Sequence, residues 1–151
     1  MAEPTYRQAT ESDADGIAAV GSAVWEELGA GSGLPGAPTA EGVGARIKEL
    51  GDRGVTFVCT DGETVSGFAL VQPDVNHPSA AVLGVWMAPE ARGKGCGREL
   101  AVAGTNWARE AGYKSLRGTI PEGNEPALSF FGDFASMAQI VGQGMEYELP
   151  L

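Results

Sequence analysis

One stretch in the middle of the chain has the residue types of an anion site: Val85-Trp86-Met87-Ala88-Pro89-Glu90-Ala91-Arg92-Gly93-Lys94-Gly95-Cys96-Gly97-Arg98. Glycine alternates at 93, 95 and 97. Alternating glycines let the backbone come close to a ligand and turn successive amides into one concavity, an anion nest. A helical pattern starts directly afterwards, and a helix N-terminus adds about 0.3–1 kcal/mol toward a bound anion. Arg92, Lys94 and Arg98 stand around the nest. The chemistry favoured is the binding of a pyrophosphate. Two common nucleotide motifs do not fit. A phosphate loop with its magnesium ligand needs Ser or Thr after the lysine, and Gly95 follows Lys94. A dinucleotide fingerprint beginning at Gly93 needs glycine at 98, where Arg98 stands. Read alone, the segment also fits a glycine-rich connection that turns a strand into a helix.

Other reactive residue types are sparse. Cys59 and Cys96 are too few for a disulfide framework, and they lack partners at zinc-ligand spacing. The single histidine, His77, precedes Pro78 in a loop. No metal site is expected. The net charge of -10 argues against nucleic acid and anionic membranes as partners. It is compatible with a cationic substrate drawn in by the overall field, and equally with plain solubility. No apolar run approaches the roughly 18 residues that a membrane span needs. Residues 1–10 contain no apolar core of a secretory signal, so a cytoplasmic location is expected.

The elements that must position the anion segment follow from periodicity. Pro4–Ala9 reads as an opening strand. Ser12 or Asp13 then caps a helix with Ile17, Val20, Val24 and Leu28 at helical spacing. Gly29–Pro38 is a Gly/Pro-rich loop. Thr39 caps a second helix with Val43, Ile47 and Leu50 on its apolar face, ended by Gly51 and Gly54. Val55–Thr60 and Thr64–Val71 form a hairpin turned at Asp61-Gly62. Ala80–Met87 is apolar on both faces, as a strand covered on both sides is. After Pro89 a third helix places Leu100, Gly104, Trp107, Ala108 and Ala111 on one stripe and stops at Gly112. Ser115–Ile120 is a strand and Glu125–Phe134 a short helix. Ser136–Leu149 reads as a hairpin turned at Gly142-Gln143-Gly144. The order is β-α-α-β-β-β-α-β-α-β-β, one mixed α/β domain over residues 1–151.

The run from Met87 to Leu100 closely resembles the acyl-CoA signature of the GNAT superfamily of N-acetyltransferases, an Arg/Gln-x-x-Gly-x-Gly/Ala core after a strand and a proline. Arg92, Gly95 and Gly97 occupy its defining places. Tyr6–Asp13 resembles the family's opening strand and helix start, and Asn124–Phe131 its late asparagine-plus-helix motif. The resemblance implies a single-domain fold with a mixed, mostly antiparallel sheet, splayed at the central strands and flanked by helices. It implies acetyl-CoA as co-substrate and an amine as acceptor, in a monomer or homodimer.

Carried over residue by residue, the resemblance gives the backbone amides of Arg92, Gly93, Lys94, Gly95, Cys96, Gly97 and Arg98 to the pyrophosphate of CoA. The backbone of Val85, Trp86 and Met87 would pair with the pantetheine arm, and Asn124 would orient the arm or its neighbouring strand. The amide of Met87 would stabilise the oxyanion. Family members often carry a glutamate base on the central strand, and Ala80–Met87 has none. Glu26 and Glu27, at the end of the first helix, are the nearest substitutes by topology, with solvated surface charges as the plain alternative. Trp25 beside them is core or a pocket wall. A tyrosine commonly serves the leaving thiolate where Phe131 stands, which leaves three options: Ser129 or another nearby hydroxyl acting through a water, direct protonation by solvent, or an inefficient catalyst. The expected reaction is transfer of an acetyl group to a primary amine, of a small molecule by preference. The alternatives are a protein N-terminal or lysine acetyltransferase, and a non-catalytic CoA-binding regulatory domain.

Overall fold

The computed structural model describes residues 4–29, 34, 36–92, 95–119, 139–140 and 146–151. A seven-stranded sheet runs in the order β1-β2-β3-β4-β5-β7-β6. Its strands are β1 Thr5–Gln8, β2 Val55–Asp61, β3 Thr64–Pro73, β4 Ala80–Met87, β5 Ser115–Thr119, β6 Gln139–Ile140 and β7 Glu146–Pro150. The pairing of β4 with β5 is parallel, and every other neighbouring pair is antiparallel. Among the described residues three helices cover the sheet: α1 Ala14–Leu28, α2 Ala40–Leu50 and α3 Cys96–Glu110. This is the mixed, helix-flanked sheet expected above.

Strand alternation divides the core into two layers. Cys59, Ala69, Val71, Leu83 and Met87 pack with Leu100, Ala101 and Ala108 of α3 and with Leu116 of β5. On the opposite face Val58 and Phe68 pack with Ile17, Val20 and Val24 of α1, and Trp86 lies against them. β4 therefore serves both layers, which is why it is apolar at every position.

The helix boundaries follow local chemistry. Thr39 Oγ1 accepts the Gly42 N–H at 3.0 Å and starts α2. The start of α1 differs from the expectation. A 3-10 turn, Glu11–Asp13, precedes it, and Asp13 makes no side-chain cap on α1. Its carboxylate instead reaches back to the Thr10 N–H at 2.8 Å and is gripped by both terminal nitrogens of Arg7, at 2.7 and 2.8 Å. A charged acceptor does more against a guanidinium on β1 than against one more helix amide. Ala111, placed on the apolar stripe of α3, lies one residue beyond the helix and is exposed. The expected terminal hairpin forms, with Gln139 opposite Glu148 and Ile140 opposite Tyr147. The expected helix 125–134 and the turn at 142–144 lie outside the described residues.

The Arg7–Asp13 pair ties β1 to α1 and makes stability depend on pH. The Arg7 guanidinium holds the buried Asp13 carboxyl down, from 3.8 to about 2. Asp13 therefore contributes stability that is fully present above about pH 4 and is lost as pH falls toward 2. Arg7 is half exposed, which limits the gain to about 1 kcal/mol. Asp13→Asn should lower the melting temperature at pH 7 and flatten its fall between pH 4 and pH 2. Parallel acid titrations of melting temperature for the two proteins test this.

Candidate active site

The site begins with a gap in the sheet. β4 and β5 are in register only at Ala80, Ala81 and Val82, opposite Ser115, Leu116 and Arg117. β3 accompanies β4 along its whole length, up to Gly67 opposite Met87. Beyond Val82 β4 keeps β3 as its partner, and among the described residues no strand is in register with Val85 or Met87 on the β5 side. Amide direction alternates along a strand. The Ala88 N–H is bonded to Ser66 O at 2.9 Å, and Ala80 O accepts from the Asp74 N–H at 3.1 Å, so the even positions face β3. Val85 and Met87 therefore turn their N–H and C=O groups into the gap. Trp86 gives its backbone to β3 and its indole to the α1 face, where it stacks on Phe68 with ring centroids 5.1 Å apart. The indole lies back over Gly84, and any side chain at 84 would overlap it.

At the end of β4 the chain makes a 3-10 turn, Pro89–Ala91, and reaches Gly95. Gly95 caps α3 in the left-handed conformation, φ 83 and ψ 0, and its carbonyl accepts from the Glu99 N–H at 3.2 Å. The edge of β4 at Val85 and Met87 and the first-turn N–H groups of α3, which have no partner within the helix, are thus close in sequence. An extended ligand with an anionic end fits that sequence of groups: backbone pairing along the strand, then anion binding at the helix start.

The other expected site residues fall as follows. Arg92 is half-buried and Arg98 exposed, while Gly97 is the second residue of α3. Cys96 is buried at 4% exposure, in the apolar layer that also holds Cys59 and Met87. The Tyr6 hydroxyl and the Cys59 thiol lie against Cys96, and burial pushes both of those groups up. Cys96 is thus a packed core residue. Glu26 is exposed, and Trp25 is half-buried. Glu27 is engaged by Arg92, whose Nη1 lies 2.7 Å from Oε1 and 2.9 Å from Oε2. Gly93, Lys94, Asn124 and Ser129 lie outside the described residues. The pairing of Glu27 with Arg92 was not legible in sequence, because the two are 65 positions apart and no local pattern links them. Among the described residues there is no cluster of His, Cys, Asp and Glu that could hold a metal ion, and no helix long and apolar enough to cross a membrane.

Comparison with known proteins agrees with this architecture. An N-acetyltransferase from Staphylococcus aureus Mu50 superposes with a TM-score of 0.85 at 20% identity, covering 99% of both chains. A phosphinothricin acetyltransferase of the GNAT superfamily from Sinorhizobium meliloti, solved with AcCoA, gives 0.82 at 18% identity, covering 98% of this chain and 88% of its own. The PaiA N-acetyltransferase from Thermoplasma acidophilum, solved with coenzyme A, gives 0.77 at 15% identity over 98% of each. At these identities the likeness is one of fold. No curated protein matches the chain in sequence. The family profile described as "Acetyltransferase (GNAT) family" matches residues 25–134, a span that holds the end of α1, the open edge of β4 and the Gly95 turn. The chain belongs to the GNAT family and is an N-acetyltransferase, an acyltransferase by reaction class.

Proposed function

We propose that residues 1–151 form one domain that moves the acetyl group of acetyl-CoA onto a primary amine of a small molecule, by direct attack in a ternary complex. The observation that carries this reading is the edge of β4 at Val85 and Met87, which no described strand pairs on the β5 side, followed by the left-handed Gly95 at the head of α3. In this reading the amides from Arg92 to Arg98, with those of Gly93, Lys94, Cys96 and Gly97 between them, hold the pyrophosphate. Val85 and Met87 pair with the pantetheine arm, and Asn124 orients it. The acetyl carbonyl lies at the Met87 N–H, which stabilises the oxyanion as the amine attacks. The carbon–nitrogen bond forms, the carbon–sulfur bond breaks, and CoA leaves as thiolate. The proton that the amine loses reaches the thiolate through water held by Ser129. The S. meliloti and T. acidophilum neighbours were solved with AcCoA and CoA, and the former is named for phosphinothricin, which supports both the co-substrate and a small acceptor.

β4 carries no titratable side chain. The proton of the amine therefore leaves to water, and Glu26, the exposed carboxylate at the end of α1, is the competing base. This predicts a pH profile. kcat/KM for the amine should rise about tenfold per pH unit until the amine's own pKa, because only neutral amine attacks. A plateau beginning near pH 5 would show a carboxylate base instead. The experiment is a CoA-release assay with acetyl-CoA and a panel of amino acids, polyamines, a peptide with a free N-terminus and a lysine peptide. Turnover of a small amine is expected. Turnover of the peptides alone would overturn the small-molecule assignment. Absence of CoA binding by calorimetry would overturn the site.

A further inference from the structure

Glu27 stands in the last turn of α1, and Arg92 directly follows the turn Pro89–Ala91. Both carboxylate oxygens contact one guanidinium nitrogen, at 2.7 and 2.9 Å, and the side chains are only 36% and 25% exposed. The guanidinium occupies a lone pair on each oxygen, so an approaching amine would have to share the carboxylate with Arg92. The same contact fixes the chain on its way to Gly95. The backbone there is already held by the Ala88 N–H on Ser66 O and the Ala91 N–H on Ala88 O, both at 2.9 Å. Glu27 adds a hold on the side chain, from a different element. We infer that Glu27 is a positioning residue, which acts through Arg92 to set the entrance of the pyrophosphate turn, and is not the group that accepts the amine's proton.

The inference rests on the reading of the Gly95 turn as the CoA site, and it assigns that site a support outside the glycine motif. Electrostatics makes its test sharp. Neutralising Glu27 removes a negative charge near a bound anion, which by itself would tighten binding. A weakening can therefore come only from lost positioning.

The experiment compares Glu27→Gln, Glu27→Asp, Arg92→Gln and the Glu27→Gln/Arg92→Gln double variant by CoA calorimetry. Steady-state kinetics with acetyl-CoA and the most active amine of the panel accompany it. Glu27→Gln should weaken CoA about threefold, the size a partly exposed ion pair carries. KM for acetyl-CoA should rise in step while kcat holds within about twofold, as expected for a binding interaction equal in ground and transition states. Glu27→Asp should recover part of the loss, and Glu27→Gln should add nothing once Arg92 is glutamine. A tenfold or greater fall in kcat with unchanged CoA affinity would make Glu27 the base and overturn the inference. So would tighter CoA binding in Glu27→Gln, which would mean that Glu27 competes with phosphate for Arg92. Additive losses in the double variant would also overturn it. An unaltered chain that fails to bind CoA sinks the proposed site together with this inference. Binding by the unaltered chain with no change in Glu27→Gln sinks this inference alone. Glu27→Gln is nearly isosteric, and thermal melts of each variant confirm that the fold is intact.

Discussion

Gly95→Val should weaken CoA binding at least tenfold, about 1.4 kcal/mol. Gly95 stands at φ 83 and ψ 0, a conformation that costs a residue with a side chain roughly 1–2 kcal/mol. Relief of that strain would rotate the peptide groups that open α3 and turn their N–H groups away from the anion. A Cβ built at Gly95 meets nothing within 4 Å in the free chain, so no internal clash accompanies the strain. In the proposed site, the space it would enter is the space the phosphate needs. The loss of stability should therefore stay small while the loss of affinity is large. Calorimetry with CoA on folded protein reads the affinity, and a thermal melt reads the stability. Affinity unchanged within twofold would remove the Gly95 turn from the site.

Leu100→Ala should have the opposite signature. Leu100 lies in α3 with no exposed surface, packed in the layer with Val71, Leu83, Met87 and Leu116. Truncation leaves a cavity between the helix and β4, at a cost of about 2–5 kcal/mol. For a chain of this size that is a fall in melting temperature of roughly 5–15 °C. The N-terminus of α3 keeps its own backbone geometry at Gly95, so affinity for CoA should change far less than stability. A ligand that binds only the folded state at a hundred times its Kd adds about 2.7 kcal/mol. Saturating CoA should accordingly raise the melting temperature of Leu100→Ala as it raises that of the unaltered chain, and should do so much less for Gly95→Val at the same concentration. If Leu100→Ala melts within about 2 °C of the unaltered chain, the packing of α3 described here is wrong.

Much of this arrangement was legible before any coordinates. Helical spacing of Ile17, Val20 and Val24, and of Leu100, Gly104 and Ala108, located α1 and α3, because a helix that buries one face repeats its small and apolar residues every three or four positions. β4 was legible as a central strand because both of its faces are covered, which demands apolar side chains throughout. The failures are equally physical. Asp13 looks like a helix cap by residue type and position, yet it answers to Arg7 on a strand. Ala111 fits the apolar stripe, but the helix has ended by then and the methyl faces water.

By itself the sequence determined the described helices and strands, their order and the glycine spacing at the head of α3, because propensity, periodicity and the conformational demands of glycine act over a few neighbouring residues. Only the tertiary structure decided that β5 leaves β4 after Val82, so that Val85 and Met87 point their backbone groups into a gap. It alone decided that Glu27 meets Arg92 across 65 residues of chain. Both depend on how far two strands stay in register and on where a helix ends above a sheet. Those are set by packing between distant segments, which no local pattern records.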